Sequence, residues 1–307
     1  MQPVALVLTA SPEAAGLDAG LISAVRASFE PTQLSAERWL APAIAWEGVL
    51  HVPPGLAPRD LTHRLAAVVA GRPIDINVVP ADPVHRRKKL LVADMESTII
   101  EQECLDELAA YAGVRDRVSE ITARAMRGEL AFEAALSERL ALLKGLDARI
   151  LEEIYASRVS LMPGAATLVG TMRRDGAHCA LVSGGFSFFS QRIAARLNFD
   201  SAEANVLEIA AGKLTGRVRQ PVLGREAKLA ALEQLTLKFG LNAEDTLAVG
   251  DGANDLAMLR TAGFGVAFRA KPILAQAAAL RIDHGDLTAL LYLQGYAGQD
   301  FVGAGPA

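Results

Sequence analysis

Three short segments of the 307-residue chain concentrate side chains that do chemistry, and each directly follows a run of apolar residues. They are Asp94-Met-Glu-Ser-Thr98, Ser183-Gly-Gly-Phe186 and Gly250-Asp-Gly-Ala-Asn-Asp255. Any one of them has an ordinary structural explanation, because Asp and Ser cap helices and Gly makes tight turns. All three together imply a shared task. In doubly wound sheets ligands bind at the carboxyl ends of the strands, and these segments supply the parts for phosphoryl transfer. A carboxylate such as Asp94 can act as a nucleophile and carry an aspartyl-phosphate. Asp94 and Asp251 suit Mg²⁺, a hard cation bound through one or two carboxylates plus substrate phosphate oxygens. Ser183 and the backbone N–H of Gly184 suit the non-bridging phosphate oxygens, since glycine lets the main chain approach closely. Such a site works by positioning and charge neutralisation more than by acid–base chemistry at phosphorus.

The elements that must position these residues follow from the apolar pattern. Leu90–Ala93, Cys179–Val182, Thr246–Val249 and Gly265–Phe268 are short continuous apolar runs, as in strands of a parallel sheet covered on both faces. The long stretch between the first two runs carries helical patterns at Glu103–Tyr111, Val118–Met126, Phe132–Leu143 and Asp147–Ser157. That is too much for a simple crossover and predicts an inserted helical cap at about 103–165. Within Phe132–Leu143 the apolar stripe runs through Phe132, Leu136 and Leu143, and Arg139 returns to nearly the same face. There it either snorkels at the edge of the stripe or grips a carboxylate bidentately. Glu103 is either an ordinary first-turn acid or a partner for an ammonium group. Gly212-Lys-Leu-Thr-Gly216 reads as a hairpin-like turn within 205–219.

Residues 1–80 have a different pattern: Val4–Thr9, Ala19–Phe29, Arg38–Ala43, Gly48–Val52, Leu61–Ala70 and Ile74–Val79 read as β-α-β-β-α-β. That order predicts an α+β ferredoxin-like domain. The joint Pro80–Lys89 ends in four consecutive basic residues and reads as a solvated linker into a buried strand. The expected division is therefore 1–85, with its linker, and 86–307. Composition narrows the remaining options. At 51% hydrophobic and 21% charged residues the chain is not disordered. Its longest apolar runs, such as Leu65–Ala70 and Ala289–Leu293, fall far short of the roughly 20 residues a membrane span needs. No signal-peptide pattern is present at the N-terminus. Cys104 and Cys179 are the only cysteines, which excludes a disulfide framework or a cysteine-built zinc site and suits a reducing cytoplasm. A net charge of −4 argues against nucleic acid as a partner.

At the residues named first, the chain resembles the haloacid dehalogenase (HAD) superfamily. Asp94-Met-Glu-Ser-Thr98 matches its first motif, Ser183 its second, Lys228 its third and Gly250–Asp255 its fourth. Within the superfamily the resemblance is to the phosphoserine phosphatases, carried by Ser97–Leu108 and Ala125–Leu143; it covers about residues 88–295. The front domain resembles the ACT-like modules of bacterial relatives. The fold this implies is α/β: a Rossmann-like HAD core with helices on both faces of a parallel sheet, an inserted helical cap, and the ACT-like domain in front. The resemblance implies that Asp94 attacks phosphorus while Glu96, at the second acid position, protonates the leaving alkoxide. It implies Mg²⁺ contacts from the Asp94 side chain, the Glu96 main-chain carbonyl and Asp251. Lys228 would neutralise the nucleophile and phosphate, and Asn254 and Asp255 would complete their surroundings. Without the resemblance Lys228 reads as a solvated helix residue. Arg139 and Glu103 would hold the carboxylate and ammonium of the substrate, and Met126 and Phe132 would form an apolar wall. The substrate implied is O-phospho-L-serine, hydrolysed to serine and phosphate in the last step of serine synthesis, in a cytoplasmic enzyme for which a homodimer is one option.

One residue departs from the family pattern. The second acid of the first motif is usually Asp, and here it is Glu96. One added carbon–carbon bond moves the carboxyl by about 1.5 Å, and a misplacement of about 1 Å can cost two orders of magnitude in rate. Either the local backbone compensates, or the protein is a slow phosphatase, or Glu96 stabilises an aspartyl-phosphate for transfer elsewhere. The alternatives are thus a phosphotransferase, a phosphatase for another small phospho-compound, or an amino-acid sensor with a weakened catalytic domain.

Overall fold

Four strands and two helices make up the front of the chain. β1 (Gln2–Ala10), α1 (Ala19–Ala27), β2 (Leu34–Ala41), β3 (Ala45–Val52), α2 (Pro58–Ala66) and β4 (Ile74–Pro80) follow one another in the predicted order. The four strands form an antiparallel sheet, β2-β3-β1-β4, as in a ferredoxin-like domain. These positions belong to a computed structural model that describes residues 2–303 apart from 15, 31, 32, 54, 127 and 128. The side chain of Met126, expected in the apolar wall, also lies outside the described residues.

After α3 (Pro83–Arg86) and β5 (Leu90–Ala93) come the four cap helices: α4 (Cys104–Tyr111), α5 (Arg115–Met126), α6 (Phe132–Ala141) and α7 (Ile150–Ser157). Then follow α8 (Ala165–Arg174), β6 (His178–Phe186), α9 (Ser187–Leu197), β7 (Ser201–Asn205), β8 (Leu207–Ala210), β9 (Lys213–Val218) and α10 (Arg225–Lys238). The chain closes with β10 (Thr246–Gly250), α11 (Leu256–Thr261), β11 (Phe264–Phe268), α12 (Pro272–Ala277), β12 (Leu280–Ile282) and α13 (Ala289–Leu293). Six strands form a sheet in the order β12-β11-β10-β5-β6-β7, with β10–β11, β11–β12 and β6–β7 parallel. Every predicted apolar run is a strand of this sheet. The two that sequence patterning missed, β7 and β12, are its edges, where short and partly polar strands suffice. Among the described residues no helix is long and apolar enough to cross a membrane.

The chain divides into two compact units: residues 1–91, 163–178 and 235–307, and residues 92–162 and 179–234. In the first, α1 and α2 cover one face of the front sheet over a core that includes Leu6, Leu8, Ile22, Trp46, Leu50 and Leu65. The opposite face is also buried, and several of its side chains are polar: Thr9, Glu47, Asp75 and Asn77. Asn77 Nδ2 donates to the Arg281 carbonyl at 2.8 Å while its Oδ1 accepts the Arg281 N–H at 2.9 Å, so a side chain of edge strand β4 imitates a strand partner for β12. The Asp75 carboxylate accepts the N–H groups of Asp283, His284 and Gly285. The basic joint is largely exposed, as its composition suggests, except at Arg86 and Lys88, which are buried. Arg86 is buried against Glu47 at 2.5 Å and donates to the Leu293 carbonyl. Arg87 pairs with Asp175 and stacks over Tyr296, Lys88 donates to the His85 and Glu244 carbonyls, and Lys89 pairs with Asp245. Arg86 and Lys88 are thus pinned, because buried charge is tolerated only when paired, while Arg87 and Lys89 keep about half or more of their side chains in water.

In the second unit the cap's entry and exit run side by side: Ile100 bridges Leu161, and Met162 N–H donates to the Ile99 carbonyl. The predicted hairpin is β8–β9, packed against α6. Gly216, at φ +79°, lets it approach closely: a Cβ there would lie 3.0 Å from the Leu140 carbonyl oxygen.

Candidate active site

β5 ends at Ala93, and the next residue, Asp94, is held at both carboxylate oxygens. Oδ1 accepts the Met95 N–H at 2.7 Å, and Oδ2 pairs with Lys228 Nζ at 2.7 Å. Both side chains are almost wholly buried, Lys228 at 2% exposure. A lysine in the first turn of a helix otherwise sits in water; here α10 aims it at a carboxylate. The pair leaves the carboxylate oriented and its charge balanced.

The loop after Asp94 folds back on one carbonyl: the N–H groups of Ile99 and Ile100 both donate to Met95 O. Ser97 takes the left-handed conformation at φ +55° to allow it. Such backbone in a non-glycine residue costs of order 1–3 kcal/mol and clusters at functional sites. The turn brings the Ser97 hydroxyl to Glu103 Oε1 at 3.0 Å, fixing the acid that opens α4. It also brings Glu96 Oε1 to the Cys104 N–H at 2.7 Å. Burial first, then the negative charge of Glu103, pushes the Glu96 carboxyl up to about 7, against the pull of Cys104 and Lys228. A carboxyl that titrates near neutrality suits proton donation and acceptance at physiological pH.

The second motif sits on a bulge of β6, where the register with β7 shifts between Val182 and Phe186. Ser183 Oγ accepts the Gly185 N–H at 2.9 Å. A Cβ at Gly184 would lie 3.4 Å from the Phe132 Cζ, so the first residue of α6 covers this loop. On the same helix, Arg139 is held by its Nε to the Ala135 carbonyl at 3.2 Å and by Nη1 to Thr122 Oγ1 at 3.4 Å. Burial lowers its pKa from the ordinary guanidinium value, opposed by the charges of Asp106, Glu103 and Glu96. This unit thus gathers Asp94, Glu96, Glu103, Phe132, Arg139, Ser183, Gly184 and Lys228, and with them Asn205, which sequence reasoning missed. Asn205 is 2% exposed and ties the Gly184 carbonyl to Leu223. Nothing in the sequence separates it from a turn asparagine at a strand end.

The fourth motif is organised by its own contacts in the other unit. Asp251 follows β10 and pairs through Oδ2 with Lys271 Nζ at 3.0 Å. Asp255, fully buried, accepts the Gly252 N–H at 3.0 Å. Gly250 has to be glycine: a Cβ there would come within 2.3 Å of the Asp255 Cγ. Asn254 is partly buried beside Gly252, with its Oδ1 2.4 Å from where a Cβ of that glycine would lie.

Comparison with known proteins agrees with this arrangement. The family model of haloacid dehalogenase-like hydrolases matches residues 91–260. A phosphoserine phosphatase of Streptomyces coelicolor is 44% identical over 241 residues, 78% of this chain and 58% of that protein. The chain spans less than two thirds of the first curated relatives it matches, 58%, 58% and 62% of their lengths. A HAD-family hydrolase of Salmonella enterica serovar Typhi superimposes with a TM-score of 0.82 at 28% identity, covering 94% of this chain and 98% of that one. A phosphoserine phosphatase solved as a phospho-aspartyl intermediate analogue gives 0.63 at 42% identity, covering 67% and 98%. The chain belongs to the haloacid dehalogenase-like hydrolase family.

Proposed function

We propose that this protein is an Mg²⁺-dependent phosphatase that hydrolyses O-phospho-L-serine to L-serine and phosphate. The observation that carries the reading is the buried Asp94–Lys228 pair, 2.7 Å apart, in the unit that also holds Glu96, Glu103 and Arg139. The relatives named phosphoserine phosphatase support the choice of substrate. A zwitterionic phosphate ester needs a cation for its carboxylate and an anion for its ammonium group. Arg139 and Glu103 are of the right sign, and Phe132 supplies an apolar cover. Ser183, Gly184 and Asn254 are assigned to the phosphate by the motif match.

The residues present fit a hard divalent cation. Asp94, Asp251 and Asp255, the acids of the first and fourth motifs, are all buried carboxylates. Oxygen-only donors are what Mg²⁺ prefers. Asp94 and Asp251, with the Glu96 main-chain carbonyl, would hold it directly, and Asp255 would support them. When bound, the ion supplies positive charge for the phosphate oxygens.

In the first step an Asp94 oxygen forms a bond to phosphorus while the bond from phosphorus to the serine Oγ breaks. Glu96 gives its proton to that oxygen, so serine leaves neutral at the hydroxyl. In the second step a water oxygen bonds to phosphorus while the bond from phosphorus to the Asp94 oxygen breaks; Glu96 takes the water proton, phosphate leaves, and Asp94 is restored as a carboxylate. Lys228 balances negative charge throughout. The same reading puts the protein in the cytoplasm, at the last step of serine synthesis, with 1–85 as an ACT-like domain and 86–307 as the phosphatase. Acid-quenched single-turnover mass spectrometry tests it: a phosphoryl group should appear on Asp94 and be absent from Asp94→Asn. A phosphoryl group on another residue, or none during turnover, would refute the mechanism.

A further inference from the structure

We propose that Asn205 is a positioning residue for the phosphate site, acting through the Ser183 hydroxyl. The inference rests on the phosphatase reading and extends it to a residue outside the four motifs. Every polar atom of the Asn205 carboxamide is committed. Nδ2 donates to the Gly184 carbonyl at 2.9 Å and to the Leu223 carbonyl at 3.1 Å, while Oδ1 accepts the Leu223 N–H at 2.8 Å. With the side chain 2% exposed, no water competes for these bonds.

The bond to Gly184 matters because of what lies at the other end of the same peptide. A trans peptide is planar, with its C=O and N–H pointing in opposite directions. Fixing the Gly184 carbonyl therefore fixes the Gly185 N–H, which donates to Ser183 Oγ at 2.9 Å. That bond occupies an acceptor lone pair of the hydroxyl, and a hydroxyl has one proton left to donate. The serine proton is thereby turned towards an incoming phosphate oxygen. Bonds in such a chain polarise one another, so Asn205 also strengthens the donor. The glycine pair at 184–185 has little rotational restraint of its own, and the bulge in β6 removes regular pairing there. The carboxamide supplies the missing restraint.

A double-mutant cycle on the full chain tests the route. The dissociation constant for inorganic phosphate is measured by titration calorimetry with Mg²⁺ present, for wild type, Asn205→Ala, Ser183→Ala and the double variant, with a thermal melt of each. Loss of one ordered hydrogen bond predicts binding about 5- to 10-fold weaker for Asn205→Ala. In the Ser183→Ala background the same substitution should cost less than about twofold, because the two act as one unit. Asn205→Leu keeps the approximate shape, stays neutral and loses all three bonds; it should behave like Asn205→Ala and serves if the alanine variant does not fold. Equal losses in both backgrounds, or no loss, would overturn the route through Ser183 while leaving the phosphatase reading intact. A wild-type chain that does not bind phosphate would overturn both. Coupled losses in a protein that does not turn over phosphoserine would support the Asn205 route and refute only the substrate.

Discussion

The carboxyl group of Glu96 lies where a side chain at position 185 would have to go: a Cβ on Gly185 would meet Glu96 Oε2 at 2.5 Å and its Cδ at 2.8 Å. The longer acid is seated in the space that Gly185 leaves open. Glycine clears the space, and the Cys104 N–H holds the far end at 2.7 Å. This favours a backbone adapted to glutamate over a weakened site.

Gly185→Ala should accordingly displace Glu96. The overpacking predicts a stability loss of about 1–3 kcal/mol together with a fall in turnover. Adding Glu96→Asp withdraws the clashing carboxyl, so the double variant should recover part of the lost stability in chemical denaturation. No recovery would mean that the clash is relieved elsewhere.

Alone, Glu96→Asp should impair turnover, because the shorter acid retreats by about 1.5 Å from its N–H partner. Glu96→Gln should cost about 10²–10⁴-fold, the usual worth of general acid–base assistance, with Mg²⁺ affinity little changed. Unaltered turnover of either variant on phosphoserine contradicts the adapted acid.

The raised pKa of Glu96 gives a sign for pH effects. A carboxyl whose folded value is about 7 against an ordinary 4.5 prefers to be protonated in the fold. Its contribution to stability is complete below about 4.5 and is lost as pH rises through about 7. Glu96→Gln, neutral throughout, should thus gain in melting temperature over wild type more at about pH 8.5 than at about pH 5.5. In wild type the alkaline limb of kcat/KM should begin near neutrality and be absent from the glutamine variant. Identical pH profiles for the two proteins would assign the titration to another group.

For Arg139→Ala the expectation is selective. Loss of a charged hydrogen-bonded pair costs about 1.5–3 kcal/mol, and this should fall on phosphoserine but not on an aryl phosphate that lacks a carboxylate. Equal losses in kcat/KM on both would show that Arg139 supports the cap through Ala135 and Thr122.

Arg86→Met probes how the front sheet is joined to the rest of its unit. Arg86 and Glu47 are each about 4–5% exposed, and breaking a buried pair by removing one partner costs about 3–5 kcal/mol. A shift of the denaturation midpoint equivalent to under about 1 kcal/mol, the worth of a surface pair, would contradict this.

Much of this was legible beforehand because the parallel strands are short continuous apolar runs and each motif follows one directly. The cap helices and the front β-α-β-β-α-β order were readable from their periods. Composition misled at Arg86 and Lys88 of the basic joint, which look solvated but are buried against groups such as Glu47 and the Glu244 carbonyl, distant in sequence. Lys228 and Asn205 were opaque for the same reason. Their roles come from what the fold packs against them, and no local spacing encodes that. Edge strands β7 and β12 escaped because an edge has no need of a continuous apolar run.

The most direct test of phosphoserine hydrolysis is phosphate release across a panel of small phospho-compounds, with Mg²⁺ and with chelator, for wild type and Asp94→Asn. The expected result is release from O-phospho-L-serine above the other compounds, abolished by the chelator and by Asp94→Asn. Release that persists in Asp94→Asn, or no release from phosphoserine with Mg²⁺ present, would contradict it.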